Sequence, residues 1–137
     1  MQDVIKGIFG MCATFLIYIL GGWDIALQCL IVFMIVDYIT GVSKSYVSGK
    51  LNSNKGLKGF VKKVCMLLIV VIATFIDYML GNSGLIRTST IYGLVANEGL
   101  SIIENFGEMN ILVPKVLKDK LEQLKEISEG ESKWDIQ

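Results

Sequence analysis

VCMLLIVVIATFIDYML, residues 64–80, carries one charged side chain, Asp77, in seventeen positions. At a rise of about 1.5 Å per residue such a run spans about 25 Å, close to a bilayer hydrocarbon core of roughly 30 Å. It therefore reads as a transmembrane helix, and three further runs extend the pattern. Residues 25–42 are broken only by Asp37, and residues 7–23 contain no charge at all. Asp3 and Lys6 precede that first run, but no small-x-small cleavage pattern follows it, so an uncleaved helix is expected rather than a signal peptide. The fourth run, residues 85–106, is interrupted by Asn97, Glu98, Glu104 and Asn105.

The composition agrees with a lipid environment. Of 137 residues, 53% are apolar and 19% charged, with a mean hydropathy of +0.56, whereas a soluble domain this small needs more polar surface to cover its core. Histidine is absent, which removes the usual proton shuttle and imidazole ligand. No phosphate-cradling glycine loop or metal-ligand cluster is evident, so the sequence is read as non-enzymatic, without a cofactor or metal. Formal charge is zero, giving no case for nucleic-acid binding. Cys12, Cys29 and Cys65 each lie in an apolar run without ligand spacing and read as free packing thiols.

Charge distribution sets the expected orientation. Six lysines (Lys44, Lys50, Lys55, Lys58, Lys62, Lys63) and no acid lie between Asp37 and Asp77. With the amino terminus, this basic linker and the carboxyl tail in the cytoplasm, twelve of the thirteen basic residues are inside and only Arg87 is outside. The fold expected is an all-α integral membrane protein of the bacterial cytoplasmic membrane, multi-pass, with both termini cytoplasmic. A transmembrane domain, residues 1–110, has four spans at about 7–23, 25–42, 64–80 and 85–106, and three spans with an interfacial fourth segment is the alternative. Short connections join the spans, including Gly81, Asn82, Ser83 and Gly84. Residues 111–137 form the cytoplasmic amphipathic tail: Pro114 suits a first helical turn, Leu117, Leu121 and Leu124 recur at helical spacing, and Gly130 is the expected stop.

Charged groups in hydrocarbon are costly, about 2.5–3.5 kcal/mol for an aspartate on insertion scales, so each needs a partner or water. Counted along antiparallel helices, Asp37 falls near the inner third, within reach of Lys63 or Lys44, and Asp77 near the outer third, close to Arg87. The two carboxylates are expected about 10 Å apart in depth, without a shared-proton dyad. In the fourth segment Thr90, Gly93, Asn97, Ser101, Glu104 and Glu108 fall along one helical stripe, suited to an aqueous path or a hydrogen-bonded helix contact. Ile91, Val95, Ile102 and Phe106 lie away from it. Gly10 with Thr14, and Gly41 with Ser45, are small-residue pairs that allow close helix approach.

The ordered set of landmarks resembles the toxin secretion and phage lysis holins, over roughly residues 25 to 125. Asp37, Tyr38, Thr40 and Gly41 resemble that family's helix-end motif. Leu51, Asn52, Ser53, Gly56, Gly59, Lys62 and Lys63 resemble its basic linker, and Asp77 its later intramembrane acid. Asn97, Glu98, Ser101, Ile102, Glu104 and Asn105 resemble its E-x-x-S-I-x-E-N signature, and Pro114 with Leu117 and Leu121 its proline-led tail helix. Departures are Asn110, where members often have glycine, and Leu112, where they often have a further proline; asparagine tolerates a left-handed turn. The resemblance implies small subunits that accumulate in the host membrane, associate with one another, and open lesions releasing an endolysin or large toxin without necessarily touching it. It makes Asp37, Gly41, Asp77, Asn97, Glu98, Ser101, Glu104 and Asn105 the intramembrane pore or assembly candidates. A small ion or metabolite channel or transporter subunit is the alternative reading, and a membrane scaffold that anchors a partner through the tail is a third.

Overall fold

The computed structural model describes residues 1–81 and 83–133, with side chains as far as residue 130, and over that range the chain is all helical. Helix α1 runs Gln2–Ile19, α2 Ile25–Val47, α3 Ser53–Leu80, α4 Leu85–Glu108 and α5 Lys115–Lys133. Asn82 of the expected turn and the last four residues of the expected tail lie outside the described residues.

The helix boundaries follow from capping chemistry more than from where the apolar runs stop. Asp24, in extended backbone, accepts the Leu27 N–H at 2.9 Å and begins α2. Asn52 accepts the Asn54 N–H at 2.9 Å and begins α3, eleven residues before the apolar run starts at Val64. The basic stretch read as a connection is thus largely the first turns of α3: lysines end a hydrophobic run but favour helix. Helix α1 starts at Gln2 and ends at Ile19, ahead of the expected limit at Trp23, and Gly130 does not stop α5, since one helical glycine costs only about 1 kcal/mol. Gly81 (φ 67°) and Gly84 (φ 86°) take left-handed backbone in the α3–α4 turn. Asn110, at φ 58°, is the one non-glycine with positive φ among the described residues and turns the chain from α4 toward Pro114.

Helices α2, α3 and α4 form the bundle. Helices α2 and α4 run parallel, paired from Asp24 with Arg87 at one end to Lys44 with Glu108 at the other. Helix α3 runs against both, bringing Lys63 level with Asp37 and Glu98, and Asp77 level with the start of α4. Leu30 and Met34, Met66 and Val70, and Ile91 and Val95 meet in the core. Ile91 and Val95, expected to lie away from the polar stripe, are thus buried against α2 and α3. The Tyr38 ring lies over Gly56 and Gly59, its hydroxyl 3.3 Å from where a Cβ on Gly56 would stand.

The two remaining helices are peripheral in different ways. Helix α1 has no buried residue and meets only α3. Nothing approaches Gly10 within 4 Å, so its spacing with Thr14 makes no close helix contact within one chain. Helix α5 folds back antiparallel along α4, with Leu121 on Gly99 and Ser128 on Gly93. Three helices, α1, α2 and α3, are long and apolar enough to cross a membrane. At 24 residues α4 has the reach, about 36 Å, but carries too many polar residues to join them on composition.

Candidate functional site

Three polar residues of α4, Arg87, Glu98 and Asn105, enter two buried layers. In the first, Arg87, 6% exposed, fans its guanidinium over the α1–α2 turn. Its Nε donates to the Leu20 carbonyl at 2.6 Å, Nη1 to Asp24 Oδ2 at 2.7 Å, and Nη2 to Asp24 Oδ1 at 3.3 Å and the Gly22 carbonyl at 3.2 Å. The arginine crosses so close to Gly21 that a Cβ there would stand 2.5 Å from Nε, and Gly21 also has φ 82°. The contact with Arg87 holds the Asp24 carboxyl below its ordinary range.

Asp77 completes this layer through the backbone. Only 2% exposed, it accepts the N–H groups of Ile86 at 3.1 Å and Arg87 at 2.7 Å. Gly84 precedes α4 and has no side chain to cap it, so an aspartate from α3 supplies the missing acceptor and a negative charge at the positive end of the helix. Asp77 is therefore beside Arg87, as its depth suggested, but what it accepts there are backbone amides. Thr74, a position the sequence did not single out, is buried one turn before it and donates to the Val70 carbonyl at 2.9 Å.

In the second layer the contacts between helices run through side chains alone. Lys63 Nζ donates to Asp37 Oδ2 at 2.6 Å and also to Glu98. Asn105 Nδ2 donates to Asp37 Oδ1 at 3.2 Å and to the Thr40 hydroxyl at 3.0 Å. Gly41 lies beneath this amide, its absent Cβ 3.7 Å from Asn105 Nδ2. Fourteen residues of α3, roughly 21 Å, separate Lys63 from Asp77, so the two aspartates belong to layers farther apart than the 10 Å inferred from counting. Of the two lysines expected within reach of Asp37, Lys63 makes the contact, and Lys44 pairs with Glu108 instead. Among the described residues no buried side-chain nitrogen or oxygen lacks a partner, and no group of three His, Cys, Asp or Glu is placed to hold a metal.

The site residues expected from sequence divide between these layers and the surface. Asp37, Glu98, Asn105 and Lys63 meet in the second layer, with Gly41 beside them, and Asp77 is in the first. Asn97 and Glu104 are exposed, and Ser101 is half-buried at a cleft of about 680 Å³ whose rim includes Lys44, Lys55 and Lys62. Lys50 and Lys58 are exposed, as are the three free cysteines. The line of α4 that turns inward is Arg87, Glu98 and Asn105, spaced eleven and seven, and not the Asn97–Glu104 stripe. A lone arginine three residues into the fourth apolar segment is itself a signal of a buried partner.

Comparison with known proteins gives a consistent result. A family model described as the bacteriophage holin family matches residues 14–126. A Clostridium perfringens protein of 14.9 kDa from the nagH 3′ region is 41% identical over 112 residues, covering 81% of this chain and 85% of its own. A Listeria innocua protein is 41% identical over 120 residues, covering 87% and 85%. A protein named probable holin from Bacillus phage phi105 is 32% identical over 111 residues, covering 81% and 82%. No solved structure matches the chain.

Proposed function

The chain belongs to the bacteriophage holin family, and from that premise we propose that it accumulates in the bacterial cytoplasmic membrane, assembles with copies of itself, and opens lesions through which an endolysin or a large toxin leaves the cell. The observation that carries this reading is the separation of surfaces. Away from the charged first turns of α1 and α3, the outward faces of α1, α2 and α3 are largely apolar, while Asp37 of α2 and Asp77 of α3 are turned inward and partnered. Such a subunit sits in lipid without an unpartnered charge on its lipid side, yet holds enough intramembrane polar groups to support an aqueous state.

The proposed arrangement has α4 crossing beside α2, with the Lys44–Glu108 end in the cytoplasm. The amino terminus, the basic start of α3 and the entry to α5 lie on that side, in keeping with the excess of lysine there. Lys55→Cys should react with an impermeant thiol reagent only from the cytoplasm, and Ser83→Cys only from outside; the opposite pattern inverts the subunit. The activity test is expression together with a cytoplasmic muralytic enzyme. The enzyme should reach the cell wall only when this chain is present. Leakage of ions with the enzyme retained would instead identify a small channel.

A further inference from the structure

Helix α5 meets a physical conflict that the other helices avoid. It docks on α4 closely: a Cβ on Gly99 would stand 2.6 and 2.7 Å from the Leu121 methyl carbons and 3.0 Å from the Phe33 ring. Leu124 reaches the core cluster beyond it. Because α4 lies alongside α2 from end to end, the part of α5 after Leu121 stands between the level of Glu98 and the level of Arg87. At that height α2 turns Val32 and Ile35 outward, and α3 turns Leu68, Ile69, Ile72 and Phe75 outward. Helix α5 turns Glu122, Gln123 and Glu126 outward. These surfaces cannot share one solvent, since hydrocarbon that suits Leu68 and Ile72 has nothing to offer the carboxylates of Glu122 and Glu126. The exposed Asn97 and Glu104 of α4 fall on the helical stripe of Gly93, whose Cβ position meets Ser128 of α5, and so join the charged side of the molecule.

We propose that in the assembled state the outward face of α5, with Asn97 and Glu104 of α4, lines the water of the lesion, while α1, α2 and α3 face lipid. The carboxyl-terminal helix is then a wall of the opening and not a tail hanging in the cytoplasm. The proposal rests on the holin reading above and adds which helix meets the water. An isolated subunit has no water at this depth, so α5 stays at the cytoplasmic surface until neighbouring copies enclose an aqueous interior. Docking of α5 on α4 and assembly are therefore one event.

The closeness of α5 to α4 makes the test direct. The Gly93 Cβ position is 3.6 Å from Ser128 Cβ, within the range of about 3.5–4.5 Å that a disulfide requires. Full-length protein carrying Gly93→Cys and Ser128→Cys, with Cys12, Cys29 and Cys65 changed to alanine, is reconstituted in vesicles loaded with a globular reporter protein. Oxidation after assembly should cross-link the pair within one chain and leave reporter release within about twofold of the reduced form. In cells, Gln123→Cys should become reactive to an impermeant thiol reagent in the external medium when lysis begins and not before. In conductance measurements Glu126→Lys should shift selectivity toward anions. Failure to cross-link, cross-linking that abolishes release while the reduced protein still releases, or Gln123→Cys reachable only from the cytoplasm overturns the lining role and leaves the holin reading intact. Reduced protein that passes ions but never the reporter overturns both.

Discussion

Arg87 and Lys63 are both cations buried in the bundle, but they are held by different kinds of partner. Arg87 is fixed by main-chain carbonyls of the α1–α2 turn and by Asp24, which itself caps α2, while Asp77 caps α4. None of these groups can move far without unwinding a helix end. Lys63 is held only by side chains, and one ammonium serves two carboxylates, Asp37 and Glu98. Rotamer changes alone can redistribute those contacts, or hand one carboxylate to water or to a neighbouring subunit. The difference teaches that buried charge can serve as a clamp at one end of a bundle and as an adjustable junction at the other.

The strongest way to break the comparison is Lys63→Met. It strands two carboxylates, and removing one partner of a buried ion pair costs about 3–5 kcal/mol. Thermal unfolding in detergent should show a loss of that size, with reduced accumulation in the membrane. Adding Asp37→Asn and Glu98→Gln to Lys63→Met should recover most of the loss, since no unpaired charge remains. No recovery would mean that Lys63 matters for packing and not for charge.

Arg87→Gln should cost less, about 1–3 kcal/mol, because the half-exposed Asp24 can rehydrate and the freed carbonyls lie at helix ends. It should lower the amount of folded protein without changing the time at which lysis begins. A change in timing at equal abundance would place the clamp in the opening mechanism.

Asp37→Asn sharpens the contrast from the other side. It leaves Lys63 with one carboxylate, so stability should change by no more than about 1 kcal/mol while lysis timing shifts. Unchanged timing in both Asp37→Asn and Asp77→Asn would reduce each aspartate to a packing role.

The smallest effect concerns pH. The folded-state Asp24 carboxyl titrates below its ordinary value of 3.8, so its contact with Arg87 stabilises fully above that value and is lost as pH falls through the lowered one. The penalty of Asp24→Asn should therefore be the same at about pH 7 and about pH 5 and shrink only below about pH 4. A penalty that faded nearer neutrality would point to a different titrating group.

Helices α2 and α3 were legible in the sequence because their apolar runs exceed what any small soluble core requires. The lower boundary of α3 was not, because Lys55, Lys58, Lys62 and Lys63 end the hydrophobicity long after the helix has begun at Ser53. In α4, periodicity found a true polar stripe, yet the groups in the ion-pair layers lie on another line. Which line turns inward depends on Asp24, Asp37, Lys63 and Asp77, all contributed by other segments. The docking of α5 was hidden for a similar reason: Leu121 and Leu124 advertise an apolar face, but only the empty Cβ positions of Gly93 and Gly99 reveal where that face fits.

The parallel pairing of α2 with α4 also bears on how the protein is made. Asp24 waits 63 residues for Arg87, and Asp37 waits 68 for Asn105, whereas Lys63 follows Asp37 by only 26. At bacterial-scale synthesis rates of about 5–20 residues per second, the longer gaps amount to several seconds during which α2 is already at the membrane. The Lys63–Asp37 contact can close first and tie α2 and α3 into a hairpin. Helix α4 then arrives as a late insertion between groups that have been standing unmatched, and a ribosome that stalls before residue 87 leaves Asp24 without its arginine.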